Sequence, residues 1–82
     1  MGASQMHIAE GYITVVQEQR FRLVTDDGRG LLLTLARNAR VDGHTLQELH
    51  NSRTHVRVEY EGEPNMASGV ALAIKYDARQ PA

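Results

Sequence analysis

Apolar and polar positions alternate with a period of two through most of this chain, the spacing that sends every second side chain to the same face of a β-strand. From Ile8 to Gln17, Ile13 and Val15 fall on one face and Tyr12, Thr14 and Val16 on the other, in a segment rich in β-branched residues. Gly11 lies inside this first strand, where a glycine marks a bulge or a sharp bend. Phe21 and Leu23 then alternate with Arg20, Arg22 and Val24 to form a second strand. The stretch Thr25-Asp26-Asp27-Gly28-Arg29-Gly30 ends it, and its Asp27-Gly28 pair predicts a tight type I′ hairpin, in which both central residues need positive φ. Leu31 to Ala36 form the return strand, with Leu31, Leu33 and Leu35 on the core face.

The period changes after Val41. Thr45-x-x-Glu48 reads as a capping box, whose hydroxyl and carboxylate each satisfy an unpaired N–H at a helix start. Leu46 and Leu49, three apart, give the short helix that follows one narrow apolar face. Strand period then returns in Val56, Val58 and Tyr60, Gly62-Glu63-Pro64-Asn65 turns the chain, and Val70, Leu72 and Ile74 make a closing strand. Residues 8–76 are thus expected to form one domain, with flexible segments at 1–7 and 77–82. Three strands, a helix and two strands is the order of an all-β, five-stranded Greek-key barrel of the oligonucleotide/oligosaccharide-binding (OB) type, with its one short helix between strands 3 and 4. Closure also removes the exposed edges of an open sheet. The rival is an open α+β sheet, but so short a helix covers little of one.

Glu10-Gly11-x-Ile13, Phe21-Arg22-Leu23, Asp27-Gly28 and Val56-Arg57-Val58-Glu59 come in the order seen in small bacterial OB domains. In outline the chain, over residues 8 to 76, resembles translation initiation factor one and the ribosomal S1-type modules. That resemblance implies the barrel. It also raises RNA as a ligand, without the basic Gly-Lys-Met-Arg stretch that follows strand three in the initiation factor; here that place reads Ala36-Arg37-Asn38-Ala39-Arg40.

Composition narrows the function classes. Eighty-two residues hold one core, and the absence of cysteine excludes disulfides, thiolate metal sites and a thiol nucleophile. Residues 1–7 lack the basic and apolar blocks of a secretory signal, and no apolar run approaches the roughly 20 residues of a membrane span, so a soluble, cytoplasmic protein with no membrane partner is expected. Nine basic and ten acidic residues leave a net charge of −1, so any attraction to phosphate must come from a local face.

The outer face of strands two and three, the usual ligand surface of this barrel type, would carry Arg20 and Arg22, with Arg37 and Arg40 near one end and Tyr12 as the aromatic free to stack on a base. Against this, Glu61-Gly62-Glu63-Pro64 would place acidic charge beside the groove. The plain reading of these arginines is the solvated face of two strands. Val16, Val24 and Leu32 would form a neighbouring apolar patch, pointing instead to a protein partner or to self-association. Single-stranded RNA or DNA and a protein partner therefore both stand open at this point. His7, His44, His50 and His55 lack the i, i+4 spacing of helical metal ligands, and Ser4, Ser52 and Ser68 lack a nucleophile-elbow pattern. The expectation is a non-enzymatic binding module with no metal and no cofactor.

Overall fold

The computed structural model describes residues 5–39, 41–62 and 68–76. Its elements are β1 (Gln5–Gln17), β2 (Arg20–Thr25), β3 (Gly30–Leu35), α1 (Gly43–Asn51), β4 (Val56–Gly62) and β5 (Ser68–Tyr76). The strands close into a barrel in the order β1-β2-β3-β5-β4, and the helix lies between β3 and β4, as the pattern predicts. β3 and β5 run parallel, Leu32–Leu35 against Ser68–Ala71, while every other pair is antiparallel. The return needed for that parallel pair is made through α1 and β4. Among the described residues no helix is long and apolar enough to cross a membrane.

β1 closes the barrel because it serves two neighbours in turn. Its first half pairs with β4 from Gln5 to Gly11, and its second half pairs with β2 from Gly11 to Gln17. Gly11 is the shared residue, and a Cβ there would overlap the carbonyl oxygen of Val24 and sit 2.8 Å from Thr25 Cα. Close approach of two backbones is thus what the glycine permits. The bulge lies further on, at Thr14, where the register shifts between Ile13 and Val15. β1 also starts at Gln5, so residues 5–7, expected to be flexible, belong to the barrel. The remaining expected ends, 1–4 and 77–82, lie outside the described residues.

The core follows the period-two pattern in β2, β3 and β4: Phe21, Leu23, Leu31, Leu33, Leu35, Val56, Val58 and Tyr60 are all buried. Each buried leucine or phenylalanine contributes about 1.5–3 kcal/mol relative to exposure. Leu46 and Leu49 join the same cluster from α1, which packs against β1. β5 departs from simple alternation. Glu59 pairs with Ala73 and Tyr60 with Ala71, so Leu72 is an extra residue; Val70 is exposed while Ala71 and Ile74 are buried.

Two local expectations are corrected. The hairpin between β2 and β3 is a three-residue loop rather than a two-residue type I′ turn: Gly28 N–H donates to Thr25 O at 2.9 Å, Thr25 N–H to Arg29 O at 2.8 Å, and Gly28 at φ 92° is its one positive-φ residue. The Thr25 hydroxyl bonds to Asp27 and receives Arg29 N–H at 2.9 Å, which ties the wider loop together. The N-cap of α1 is Asp42, not Thr45. Its Oδ1 accepts Thr45 N–H at 2.8 Å, which places Thr45 inside the first turn. The backbone N–H and hydroxyl of Thr45 hold the Asp42 carboxyl below its ordinary range. Glu48 reaches His44 at 3.4 Å instead of the helix start.

Candidate functional site

Cross-strand pairing stacks the outward side chains of β1, β2 and β3 into rows. Arg22 lies between Val15 on β1 and Leu32 on β3, and Arg20 lies between Gln17 and Thr34. Tyr12 pairs with Val24, which pairs with Gly30. The Arg22 guanidinium lies across Gly30, since a Cβ there would meet one of its terminal nitrogens at 3.0 Å and its Nε at 3.2 Å. A missing side chain thus makes room for a flat cation.

The cations of the barrel divide into two groups. Arg29 is paired with Asp27 at 3.3 Å, Arg57 with Glu10 at 3.4 Å and Lys75 with Glu59 at 3.1 Å. Arg20, Arg22, Arg37 and Arg53 have no carboxylate partner among the described residues. Arg20 and Arg22 share the outer face of β2, and Arg37 is exposed in the turn after β3. Glu18 is the acidic neighbour, lining with Gln19, Arg20 and Thr34 a groove of about 340 Å³. Arg40 lies outside the described residues, as do Glu63 and Pro64 of the acidic loop. Glu61, at the start of that loop, is exposed and pairs across to Val70.

Tyr12 is exposed on β1, and its ring meets the edge of His55 with centroids 5.2 Å apart. Phe21 and Tyr60 point into the core, as their alternation requires. The apolar patch differs from expectation by one residue. Past the Thr14 bulge the side-chain phase reverses, so Val16 packs against the core and Val15 takes its place outside. Val24 is half-buried, and Leu32 is 54% exposed.

Two further groupings escaped the sequence because their members are far apart along it. Donor atoms of Glu10, midway along β1, Asp26, just after β2, and His55, just before β4, lie within 4.8 Å of one another, all exposed. Two carboxylates and an imidazole are chemically able to hold a divalent cation. Here each has a partner in the protein: His55 Nε2 is 2.9 Å from Asp26, and Glu10 meets Arg57 at 3.4 Å. The second grouping is a cavity of about 480 Å³ between β1 and α1, lined by Tyr12, Ile13, Thr14, His50 and Arg53. Neither has a local motif that spacing could have revealed.

Fold and surface together define a small β-barrel module that presents arginines unpaired among the described residues beside an apolar strip. No family model, no curated protein and no solved structure matches the chain.

Proposed function

We propose that this barrel is a non-enzymatic module that binds single-stranded nucleic acid across the outer face of β2 and β3. The observation that carries the reading is the segregation of charge: Arg20 and Arg22 stand unpaired among the described residues on that face, whereas Arg29, Arg57 and Lys75 are neutralised elsewhere. A phosphate chain needs free cations at intervals, with flat or apolar surface between them for bases. Arg20 and Arg22 offer the first, extended by Arg37 and, by its place in the chain, Arg40. Tyr12, Val15 and Leu32 offer the second. Likeness in element order to translation initiation factor one and S1-type modules supports the same reading, as does the OB-like strand order.

The test is chemical-shift mapping with short RNA and DNA oligonucleotides at low salt. Amides of β2 and β3 should move, and affinity should fall with salt by a log–log slope of about 0.7 per phosphate contact. The double variant R20A/R22A should flatten that slope. No movement of β2 or β3 amides with either oligonucleotide overturns the reading.

A second reading rests on the same face. Val15 at 45% and Leu32 at 54% exposure flank Arg22 in one row, a surface that fits a protein partner or a second copy of the chain. Sedimentation equilibrium separates the two, because association through this strip is insensitive to salt and nucleic-acid binding is not.

A further inference from the structure

The cavity between β1 and α1 combines features that are individually ordinary and together are not. Its walls are Tyr12, Ile13 and Thr14 of β1 on one side and His50 and Arg53, at and just past the end of α1, on the other. Its volume, about 480 Å³, lies in the range of small-molecule sites. The Thr14 bulge brings the Thr14 residue to its wall, and bulges recur beside binding sites because they re-aim a side chain.

His50 is fixed there. Its Nδ1 lies 3.0 Å from the carbonyl oxygen of Ile13, which can only accept, so Nδ1 carries a proton and donates it. That bond orients the ring and leaves Nε2 without a partner among the described residues.

Arg53 gives the strongest indication. α1 ends in a Schellman motif: Thr54 N–H donates to Leu49 O and Arg53 N–H to His50 O, each at 3.2 Å, with Ser52 as C-cap. The residue after the cap in this motif is left-handed and is usually glycine, since a Cβ is disfavoured there. Here it is Arg53 at φ 54°, lining the cavity with no carboxylate partner among the described residues. An unfavourable backbone placement that holds a free guanidinium at a pocket is the kind of local cost that function retains.

We infer that this cavity binds one nucleoside monophosphate unit. The exposed Tyr12 ring supplies the flat surface for the base, the Arg53 guanidinium and the Thr14 hydroxyl supply donors for the phosphate, and His50 Nε2, an acceptor while Nδ1 holds the proton, suits a ribose hydroxyl. The site shares Tyr12 with the proposed oligonucleotide surface, but its polar groups, on Thr14, His50 and Arg53, lie outside β2 and β3, so it stands whether or not that face binds an oligonucleotide. Free mononucleotide and the phosphorylated end of a strand present the same group, and the two are distinguished by which probe binds.

The experiment is a two-dimensional amide NMR titration with AMP, with UMP and with a 5′-phosphorylated dinucleotide, on the full chain and on Arg53→Gly. At least one probe should move the amides of Tyr12 to Thr14, His50 and Arg53 in the full chain. AMP or UMP marks a free mononucleotide site, and the dinucleotide alone marks a strand end. Arg53→Gly should weaken that binding at least tenfold while its melting temperature is unchanged or raised, because glycine suits the left-handed position better. A stability gain with a binding loss cannot come from misfolding. The inference is overturned if none of the three probes moves these amides, or if Arg53→Gly binds as tightly as the full chain. Failure of the outer-face reading is scored on the β2 and β3 amides and failure of the cavity on those of His50 and Arg53, which belong to the cavity alone, so the two failures are distinguishable.

Discussion

Gly11→Ala is the substitution that tests how the barrel closes. Gly11 is where β1 leaves β4 for β2, and an added Cβ would overlap Val24 O and lie 2.8 Å from both Val24 C and Thr25 Cα. All three are backbone atoms of a buried strand junction, so no side chain can swing aside; the strands themselves must part. Overpacking typically costs about 1–3 kcal/mol, and rigid backbone neighbours put this position at the upper end, about 3 kcal/mol. In a domain of this size each kcal/mol lowers the melting temperature by about 4–8 °C, so a loss of about 12–24 °C is expected by circular dichroism. Gly28→Ala is the control. Gly28 has open space around it but a φ of 92°, so only backbone strain applies, about 1–2 kcal/mol. The reasoning is refuted if Gly11→Ala melts within about 4 °C of the parent chain, or if Gly28→Ala is the more damaging of the two. Because Tyr12 follows Gly11, the His55 ring signals should also shift in Gly11→Ala and stay in place in Gly28→Ala.

Asp42→Ala should lower the melting temperature by a few degrees and Thr45→Ala by less, since Asp42 is the N-cap; the reverse order would return that role to Thr45. The carboxyls of Asp27, bonded to the Thr25 hydroxyl and beside Arg29, and of Asp42 are both held below the ordinary value of 3.8. Their contribution to stability is therefore complete above that value and is lost as pH falls through their lower folded values, so acid melts of Asp27→Asn/Asp42→Asn should show a shallower decline below it. Leu32→Lys should leave urea unfolding within about 0.5 kcal/mol of the parent, as at other exposed sites, yet abolish any concentration-dependent association seen in sedimentation.

The candidate site was partly legible in the chain. Arg20 and Arg22 could be placed on an outer face because Phe21 and Leu23 between them had to point inward. Tyr12 was placed outward for the same reason, but its contact with His55 spans forty-three positions of sequence and had no local sign. Alternation places Val16 in the partner patch because it assumes an unbroken ladder, but the Thr14 bulge reverses the phase for every residue beyond it in β1. β5 carries a break of the same kind, where the extra residue at Leu72 leaves Val70 exposed while Ala71 and Ile74 are buried.

What the sequence by itself determined was the order of the elements, the position of the one helix and the inward faces of β2, β3 and β4. These depend on side-chain period and turn residues, which act between neighbours and need no knowledge of the rest of the chain. The tertiary structure alone decided the rest: the closure of β1 onto both β4 and β2 at Gly11, the two bulges, and the meeting of Tyr12, Thr14, His50 and Arg53 around one cavity. A bulge is where the curvature of a closed barrel is taken up, and a cavity is the space left between elements that pack independently. Both are properties of the assembled barrel, so no run of residues encodes them locally.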